Sequence, residues 1–426
     1  MKKIGLFLFD ICFALQMVAQ EQNYFTNPVI RGDVPDPSVI RIEDTYYATG
    51  TSSEWAPFYP MFTSKDLVNW KQVGHVFTKQ PSWTSNSFWA PELFYHNNKV
   101  YCYYTARQKS TGISYIGVAT SDSPLHEFTD HGPIVEYGKE AIDAFIYDDN
   151  GQLYISWKAY GLDTRPIELL GCKLSADGLH LDGEPFTLLV DEKGIGMEGQ
   201  YHFKEGDYYY IVYAAHGCCG PSSDYDVYVA RARNYGGPYE KYSGNPILHG
   251  GEGDYKSCGH GTVVRTSDGR MFYMCHAYLK GDGFFIGRQP ILQEMEMTDD
   301  HWVRFKTGNL AIAEQPIPFV GTKQEPLSDF EDNFKGNQLK VDWTWNYPYS
   351  DIHAVLKKGK LFLSGTPKNN NKYGTALCLR PQSPQYSFET KVINTGKGLK
   401  GLTLYGDDKN LIAWGIEGLS QIHISR

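Results

Sequence analysis

The sequence has no clustered stripe of lysine and arginine. Its 40 basic and 49 acidic residues give a net charge of −9, and the basic residues are scattered along the chain. Binding to a polyanion needs a concentrated positive surface, so the composition argues against a nucleic-acid or anionic-membrane partner. A neutral partner such as a sugar fits this composition better.

Segments with helical periodicity are also scarce. The 31 tyrosines and 43 glycines instead favour strands joined by tight turns. At 426 residues the chain is too long for one ordinary core. We therefore expect an all-β protein with two domains, one of them large.

Long apolar runs are missing after the N-terminus, where no segment approaches the roughly 20 residues that cross a bilayer as a helix. The N-terminus has a basic start, Met1-Lys-Lys, followed by an apolar stretch over residues 4–19. This order is typical of a secretory signal peptide over residues 1–20, although Asp10 interrupts it, and a buried first strand is the alternative. Because Cys12 lacks the small neighbours of a lipoprotein site, we expect a soluble exported protein, periplasmic or extracellular.

Cysteine is too irregular in its spacing for a disulfide framework. Of the eight cysteines, one lies in the predicted signal peptide, and the odd number that remains is scattered. No spacing matches a structural zinc site. Cys218 and Cys219 are adjacent, and in an exported protein one of them could pair with Cys258. Reduced, partly buried thiols are the alternative.

One pattern does recur, five times between Pro35 and Met297. Each copy opens with a polar residue beside proline, glycine or alanine, continues through an apolar strand, a turn and an aromatic strand, and ends in a third strand. The copies start roughly 50 to 60 residues apart, which suits the four-stranded blade of a β-propeller. We therefore predict a five-bladed propeller over residues 21–325.

The first strand of each blade lies nearest the propeller axis, so the residues that open the copies are expected to gather around one mouth of the channel. These opening residues are Asp36, Glu92, Asp143, Glu198 and His260. A single acid at such a place is usually a turn cap. Four acids and a histidine converging on one funnel are costly unless they perform chemistry or hold an ion.

Residues 326–426 follow a linker rich in proline and charge and are predicted to form a second β region. Short alternating runs at residues 359–365 and 386–392 favour a β-sandwich. The last run, residues 421–426, resembles a strand with nothing after it and would leave an exposed edge. We therefore expect an incomplete sandwich.

Seven short motifs resemble those of glycoside hydrolase family 43 and occur in that family's order. They are residues 27–38 (NPVIRGDVPDPS), 64–70 (SKDLVNW), 88–92 (FWAPE), 141–143 (AID), 197–199 (MEG), 259–261 (GHG) and 287–289 (GRQ). Each motif alone is a weak signal, and together they place the resemblance over about residues 27 to 320. The resemblance implies a five-bladed propeller hydrolase of the α-L-arabinofuranosidase, β-xylosidase or arabinanase type. It also implies that the C-terminal region is the sandwich that follows the propeller in family members.

The resemblance gives Asp36 the role of general base, Glu198 that of general acid, and Asp143 the task of orienting Glu198 and tuning its pKa. An inverting glycosidase needs one carboxylate to activate water and one protonated carboxyl to protonate the leaving oxygen, about 6.5 to 9.5 Å apart. A third acid nearby raises the pKa of the general acid by like-charge repulsion. This chemistry requires no cofactor.

Three further positions match residues of the family's site. His260 corresponds to a histidine that faces the channel and helps to hold a structural calcium ion or a water cluster, and a structural histidine is the alternative. Arg288 corresponds to an arginine that contacts sugar hydroxyls. Trp89 could stack on a sugar face or belong to the core. Glu92 has no catalytic counterpart and is interpreted as structural.

Rival functions are a non-catalytic sugar-binding propeller and an endo-acting arabinanase. The presence of an acid and base pair argues against the first. Five-bladed families that act on fructosides are a further rival, but their Asn-Asp-Pro-Asn-Gly and Arg-Asp-Pro motifs are missing from the sequence. Release of a terminal pentose from plant polysaccharides is the expectation, with the choice between arabinoside and xyloside left open.

Overall fold

A computed structural model describes residues 23–160, 166–371, 374–393, 398–406, 409–417 and 420–425. The predicted signal peptide lies outside these residues, so export stays a prediction. Within the described ranges, no helix is long and apolar enough to cross a membrane. The regular structure there consists of strands and one short 3-10 helix, Gly281–Ile286.

Five four-stranded antiparallel sheets follow one another along the chain. Blade 1 consists of Ser38–Ile42, Thr45–Thr49, Phe58–Ser64 and Lys71–Phe77, and blade 2 of Thr84–His96, Lys99–Gln108, Ser114–Ser121 and Thr129–Val135. Blade 3 consists of Ala141–Asp149, Gln152–Ala159, Glu168–Lys173 and Phe186–Val190, and blade 4 of Glu198–Glu205, Tyr208–Ala215, Asp226–Ala232 and Glu240–Lys241. Blade 5 consists of Tyr255–Arg265, Met271–Leu279, Arg288–Met297 and Val303–Phe305. The predicted all-β, five-bladed propeller is confirmed.

The blades pack face to face, so their inner strands are apolar along their length instead of alternating. In Tyr208–Ala215 of blade 4, every residue after Tyr208 is buried. Five clusters of buried side chains lie at the five junctions between successive blades, including the junction of blade 5 with blade 1. The core is therefore a ring of blade-to-blade interfaces around the axis.

The N-terminal segment closes this ring between blade 5 and blade 1. The side-chain amide of Asn27 donates to the carbonyl of Leu292 at 3.0 Å, and its oxygen accepts from the Leu292 N–H at 2.8 Å. Tyr24–Thr26 also pairs with Glu314–Pro316, which follows the last blade. Both ends of the propeller chain are thus fixed at one junction.

In every blade the backbone is unusual at or before the middle of the innermost strand. A residue there has a positive φ: Asp36 (54°), Ala90 (37°), Asp143 (59°), Gly199 (60°) and His260 (44°). In blades 2 to 5 this residue lies where the pairing with the second strand shifts register. Such bulges re-aim a side chain, and positive φ at non-glycine residues is concentrated at functional sites. The equivalent residue is therefore Ala90 in blade 2 and Gly199 in blade 4, so the predicted equivalence of Glu92 and Glu198 is wrong by one or two residues.

The region after residue 326 carries three small sheets where it is described. Trp345–Asn346 pairs with Trp55–Ala56 from a loop of blade 1, Ser350–Leu356 forms a hairpin with Leu361–Pro367, and Lys400–Tyr405, Leu411–Glu417 and Ser420–Ser425 form the last sheet. Phe362, Leu404 and Trp414 are exposed by 54%, 55% and 55%. The domain boundary near residue 325 and the incomplete sandwich stay predictions.

Candidate active site

The structure brings Asp36, Asp143 and Glu198 together at one mouth of the channel, as the sequence predicted. His260 links the first two, because its Nδ1 lies 3.4 Å from Asp36 Oδ1 and 3.8 Å from Asp143 Oδ2. Oδ2 of Asp143 accepts the N–H of Gly199, beside Glu198, at 3.2 Å. Asp36 and Asp143 are only 8% and 6% exposed, so charges in this cluster are weakly screened by water.

Gly199 allows this cluster to close. Its φ is +60°, and a Cβ added there would lie 2.5 Å from Cγ of His260. A side chain at this position would therefore push the imidazole away from the carboxylates, besides straining the backbone.

Asp36 has the surroundings of an ionised carboxylate. Its Oδ2 accepts from the hydroxyl of Thr51 at 2.6 Å, and Nη1 of Arg288 lies 3.4 Å from its Oδ1. Burial alone would raise the pKa of Asp36, but Arg288 and His260 outweigh burial and hold the pKa below its ordinary value. The N–H of Asp36 donates to Nδ1 of His276 at 3.1 Å, and burial lowers the pKa of that imidazole to about 4. An ionised carboxylate is what a general base requires.

Glu198 is held by two hydrogen-bond donors. Nζ of Lys158 donates to Oε2 at 2.7 Å, and the hydroxyl of Tyr225 donates to Oε1 at 3.0 Å. Burial and the nearby charge of Glu198 raise the pKa of Tyr225 well above its ordinary value, so the phenol keeps its proton. Burial would also raise the pKa of Glu198, but Lys158 and Tyr225 outweigh it and lower that pKa. The expected raised pKa of Glu198 is therefore wrong for the free site, because the charge of Lys158 beside it favours the carboxylate.

The raised pKa belongs to Asp143 instead. Burial raises the pKa of Asp143 to about 6; His260 lowers it, and the charges of Glu198 and Asp36 raise it further. The N–H of Asp143 donates to the hydroxyl oxygen of Thr105 at 3.2 Å, which fixes the bulge. Asp143 thus exchanges its proton in the range where many enzymes work, next to both other carboxylates.

Arg288 and Trp89 both lie at this mouth. Arg288 begins the third strand of blade 5, and its N–H donates to Asp33 at 2.7 Å while its guanidinium faces Asp36. Trp89 directly precedes the bulge of blade 2, and the guanidinium carbon of Arg107 lies 5.9 Å from its ring centre. Their places suit contact with a substrate, and that role stays a prediction.

Glu92 lies beyond the bulge of blade 2, further along the inner strand. Burial raises its pKa to about 8, and a hydrogen bond with Ser38 partly opposes this rise. Its carboxyl is therefore largely neutral at neutral pH. A neutral carboxyl paired with a serine supports its interpretation as structural.

The expected structural calcium ion stays a prediction. Ca²⁺ takes about six to eight oxygen ligands, and Nδ1 of His260 is directed at Asp36 and Asp143. Across the described ranges, no group of three or more His, Cys, Asp or Glu side chains is arranged to hold a metal ion. No step of the chemistry is therefore assigned to a metal at His260.

A second ring of residues, which the sequence analysis missed, supports the first. Each member lies in the last part of a blade's second strand or just beyond it and bonds to the following blade. Thr51 accepts the N–H of Ala90, Thr105 accepts that of Asp143, Lys158 donates to the carboxylate of Glu198, and His276 accepts the N–H of Asp36. The signal available in the sequence was a polar residue where an apolar strand ends.

The two adjacent cysteines also lie at this mouth. Cys218 and Cys219 form a disulfide with each other in the loop after the second strand of blade 4. Cys258 is a buried free thiol. The bond to Cys258 considered from the sequence is therefore wrong. The alternative of reduced, partly buried thiols is wrong for Cys218 and Cys219 but holds for the other five described cysteines.

A five-bladed propeller with an ionised carboxylate, a hydrogen-bonded second carboxyl and a third acid at one mouth has the site of a glycoside hydrolase. The family model for glycosyl hydrolases family 43 matches residues 25–303. The chain belongs to this family, and it is an enzyme that hydrolyses glycosidic bonds.

Individual relatives agree with this assignment. The chain is 28% identical to a xylan 1,3-beta-xylosidase from a Vibrio species, over 89% of this chain and 76% of that protein. It is also 28% identical to a non-reducing end alpha-L-arabinofuranosidase from Bacteroides ovatus, over 96% and 77% of the two chains. A solved GH43_12 structure from a capybara gut metagenome has a TM-score of 0.78 at 22% identity, over 94% of this chain and 80% of that chain. At that identity the structural match shows the fold alone.

Proposed function

We propose that this protein is an inverting glycosidase that releases a terminal pentose, α-L-arabinofuranose or β-D-xylose, from plant polysaccharides or their oligosaccharides. The observation that carries the proposal is a pair of differently equipped carboxylates at one mouth, Asp36 beside Arg288 and Glu198 beside Lys158. The two relatives named above are a xylosidase and an arabinofuranosidase, which supports a pentose as the substrate.

In the proposed reaction, Asp36 takes a proton from a water molecule as the water oxygen attacks the anomeric carbon. Protonated Glu198 gives its proton to the glycosidic oxygen, so the bond to the leaving group breaks. The step leaves Asp36 protonated and Glu198 ionised, and proton exchange with solvent restores both. Because neither carboxylate bonds to the sugar, the anomeric configuration is inverted.

Glu198 must take up a proton before each turnover, because Lys158 and Tyr225 favour its ionised form. Asp143 opposes them, since like-charge repulsion between two buried carboxylates favours protonation of one of the pair. Its hydrogen bond to the Gly199 N–H also fixes the backbone beside Glu198. We therefore assign Asp143 the positioning and tuning role and expect an optimum on the acidic side of neutrality.

The proposed chemistry uses side chains alone and needs no cofactor. The substrate contacts of Arg288 and Trp89 belong to the proposal as well. So does export, which rests on the apolar N-terminal stretch. Sequencing the N-terminus of protein recovered from the medium or periplasm tests export, and a product that still starts at Met1 would contradict it.

Proton NMR of the first turnovers tests the mechanism. The product should appear first with inverted anomeric configuration, and initial retention would mean a covalent intermediate and remove the base role from Asp36. A panel of aryl arabinofuranoside, aryl xyloside and linear arabinan then decides the substrate. Internal cleavage of arabinan alone would favour an endo-arabinanase, and binding without cleavage of any glycoside would favour a sugar-binding propeller.

A further inference from the structure

The loop that carries the Cys218–Cys219 disulfide flanks the proposed acid at both of its ends. At its beginning, the N–H of His216 donates to the carbonyl of Ile195 at 3.1 Å, in the segment that leads to Glu198. At its end, Tyr225 donates its hydroxyl proton to Glu198. Because Glu198 would protonate the leaving-group oxygen, this loop borders the leaving-group side of the site.

Further hydrogen bonds fix the disulfide on the rim. The hydroxyl of Ser223 donates to the carbonyl of Cys218 at 3.0 Å. The N–H of Gly220 donates to the hydroxyl of Tyr278 at 3.0 Å, and Tyr278 is the strand partner of Arg288. Cys219 is exposed and Cys218 is half-buried. The disulfide is thus held between the acid and the arginine of the site with one face open to solvent.

A cavity of about 270 Å³ lies between Pro221 of this loop and blade 5. Its walls are formed by Pro221, Lys256, Leu279, Lys280, Gly281 and Phe284. The ring of Phe284 stacks on that of Tyr278, with centroids 4.5 Å apart, so this wall is anchored to the same tyrosine as the disulfide loop. The cavity combines apolar walls with a few polar groups, which is the usual character of a ligand site.

We propose that the Cys218–Cys219 disulfide is a platform for the leaving-group sugar and that the adjoining cavity receives the continuing saccharide chain. Sulfur is soft and polarizable and makes favourable contacts with apolar surfaces, and the C–H face of a sugar ring is such a surface. A bond between adjacent cysteines also has little freedom to lose on binding. The inference deepens the proposed function and rests on it.

The test compares two substrates that both need acid catalysis. Methyl glycoside has a minimal leaving group, whereas 1,4-linked xylobiose or 1,5-linked arabinobiose places a sugar on the platform. In the Cys218→Ala/Cys219→Ala variant, KM for the disaccharide should rise roughly fivefold, as expected for losing about 40 Å² of apolar contact. Turnover of the methyl glycoside should stay unchanged. Cys378→Ala, which removes a free thiol far along the chain, is the matched control.

Dithiothreitol gives a second measurement that does not depend on how the variant folds. Thiol–disulfide exchange cleaves the bond to two thiols while dithiothreitol is oxidised to its cyclic disulfide. Among the described cysteines this is the one disulfide, so reduction of the wild-type protein should raise KM for the disaccharide in the same way. It should have no effect on the double variant.

The outcomes separate this inference from the proposed function. An equal loss on the methyl glycoside and the disaccharide would mean that the loop only positions Glu198, and unchanged disaccharide kinetics would mean that the disulfide contacts no sugar. Either result overturns the platform. If the wild-type protein cleaves none of these glycosides, the proposed function itself fails.

Discussion

The two sides of the candidate site share the same bulged blade backbone, but different cations lower the pKa values of their carboxylates. On the base side, formed by blades 5 and 1, Asp36 occupies the positive-φ position itself and is surrounded by Arg288, Thr51 and His276. On the acid side, formed by blades 3 and 4, glycine occupies that position and Glu198 precedes it. The bulge therefore positions each carboxyl group, and a residue near the end of the neighbouring blade's second strand influences the pKa of that group.

The difference has a chemical consequence. An arginine stays charged throughout the working pH range, so it favours the ionised form of Asp36 throughout that range. The pKa of Glu198 is lowered mainly by Lys158, and the hydroxyl of Tyr225 adds a second hydrogen bond, so one substitution at Lys158 removes most of the effect. The pKa of Asp36 therefore depends on several groups, whereas the pKa of Glu198 depends mainly on one.

The largest effect is expected from Asp36→Asn, because water must be activated whatever group leaves. We expect kcat to fall by about 10² to 10⁴-fold on an activated dinitrophenyl glycoside and on a natural glycoside alike. Steady-state kinetics on both substrates measure this. Asp44→Asn, an exposed acid in the first turn of blade 1, is the control and should keep full activity. A loss on only one substrate would mean that Asp36 is not the base.

Glu198→Gln should be as damaging on the natural glycoside but much milder on the dinitrophenyl glycoside, since that leaving group departs with little protonation. The ratio of the two kcat/KM values, variant against wild type, is the quantity to measure. It should change by about 10²-fold or more in favour of the activated substrate. Equal losses on both substrates would mean that Glu198 does not act as the general acid, and the two sides of the site would then not differ in role.

Lys158→Met should move the alkaline limb of the pH profile. Lys158 stabilises the ionised form of Glu198 and lowers its pKa, so its removal raises that pKa and keeps the acid protonated to higher pH. The alkaline limb of kcat/KM should therefore shift upward by about one to three pH units. Lys204→Met, on the first strand of blade 4 but at its far end, is the control. If the alkaline limb does not move, that limb reports the titration of another group, such as Asp143.

The propeller was predictable because repetition is visible in the sequence, and the motifs around Asp36, Asp143 and Glu198 identified the carboxylates. The position of the bulge within each strand was not predictable, because Ala90 and Gly199 carry no polar side chain that marks their equivalence to Asp36. Lys158 was missed for a different reason: it lies in blade 3 and its partner in blade 4, so only the ring geometry places them in contact. The pKa of Glu198 depended on that contact, and its direction was predicted wrongly.

Thr51→Val should give the smallest effect and is the finest test of how fixed the base side is. The substitution keeps the shape of the side chain but removes the hydroxyl that donates to Asp36 at 2.6 Å. A hydrogen bond to a charged acceptor contributes about 1.5 to 3 kcal/mol, so the pKa of Asp36 should rise by about one to two units. Because Arg288 still holds that pKa low, kcat/KM near the optimum should stay within about tenfold of wild type, and any pH-dependent loss should appear only at the acid end of the profile. Thr187→Val, on the outer strand of blade 3, is the control for the loss of a hydroxyl. A loss of activity equal at every pH would show that Thr51 acts mainly through the N–H of Ala90, and the base side would then depend on blade 2 as well.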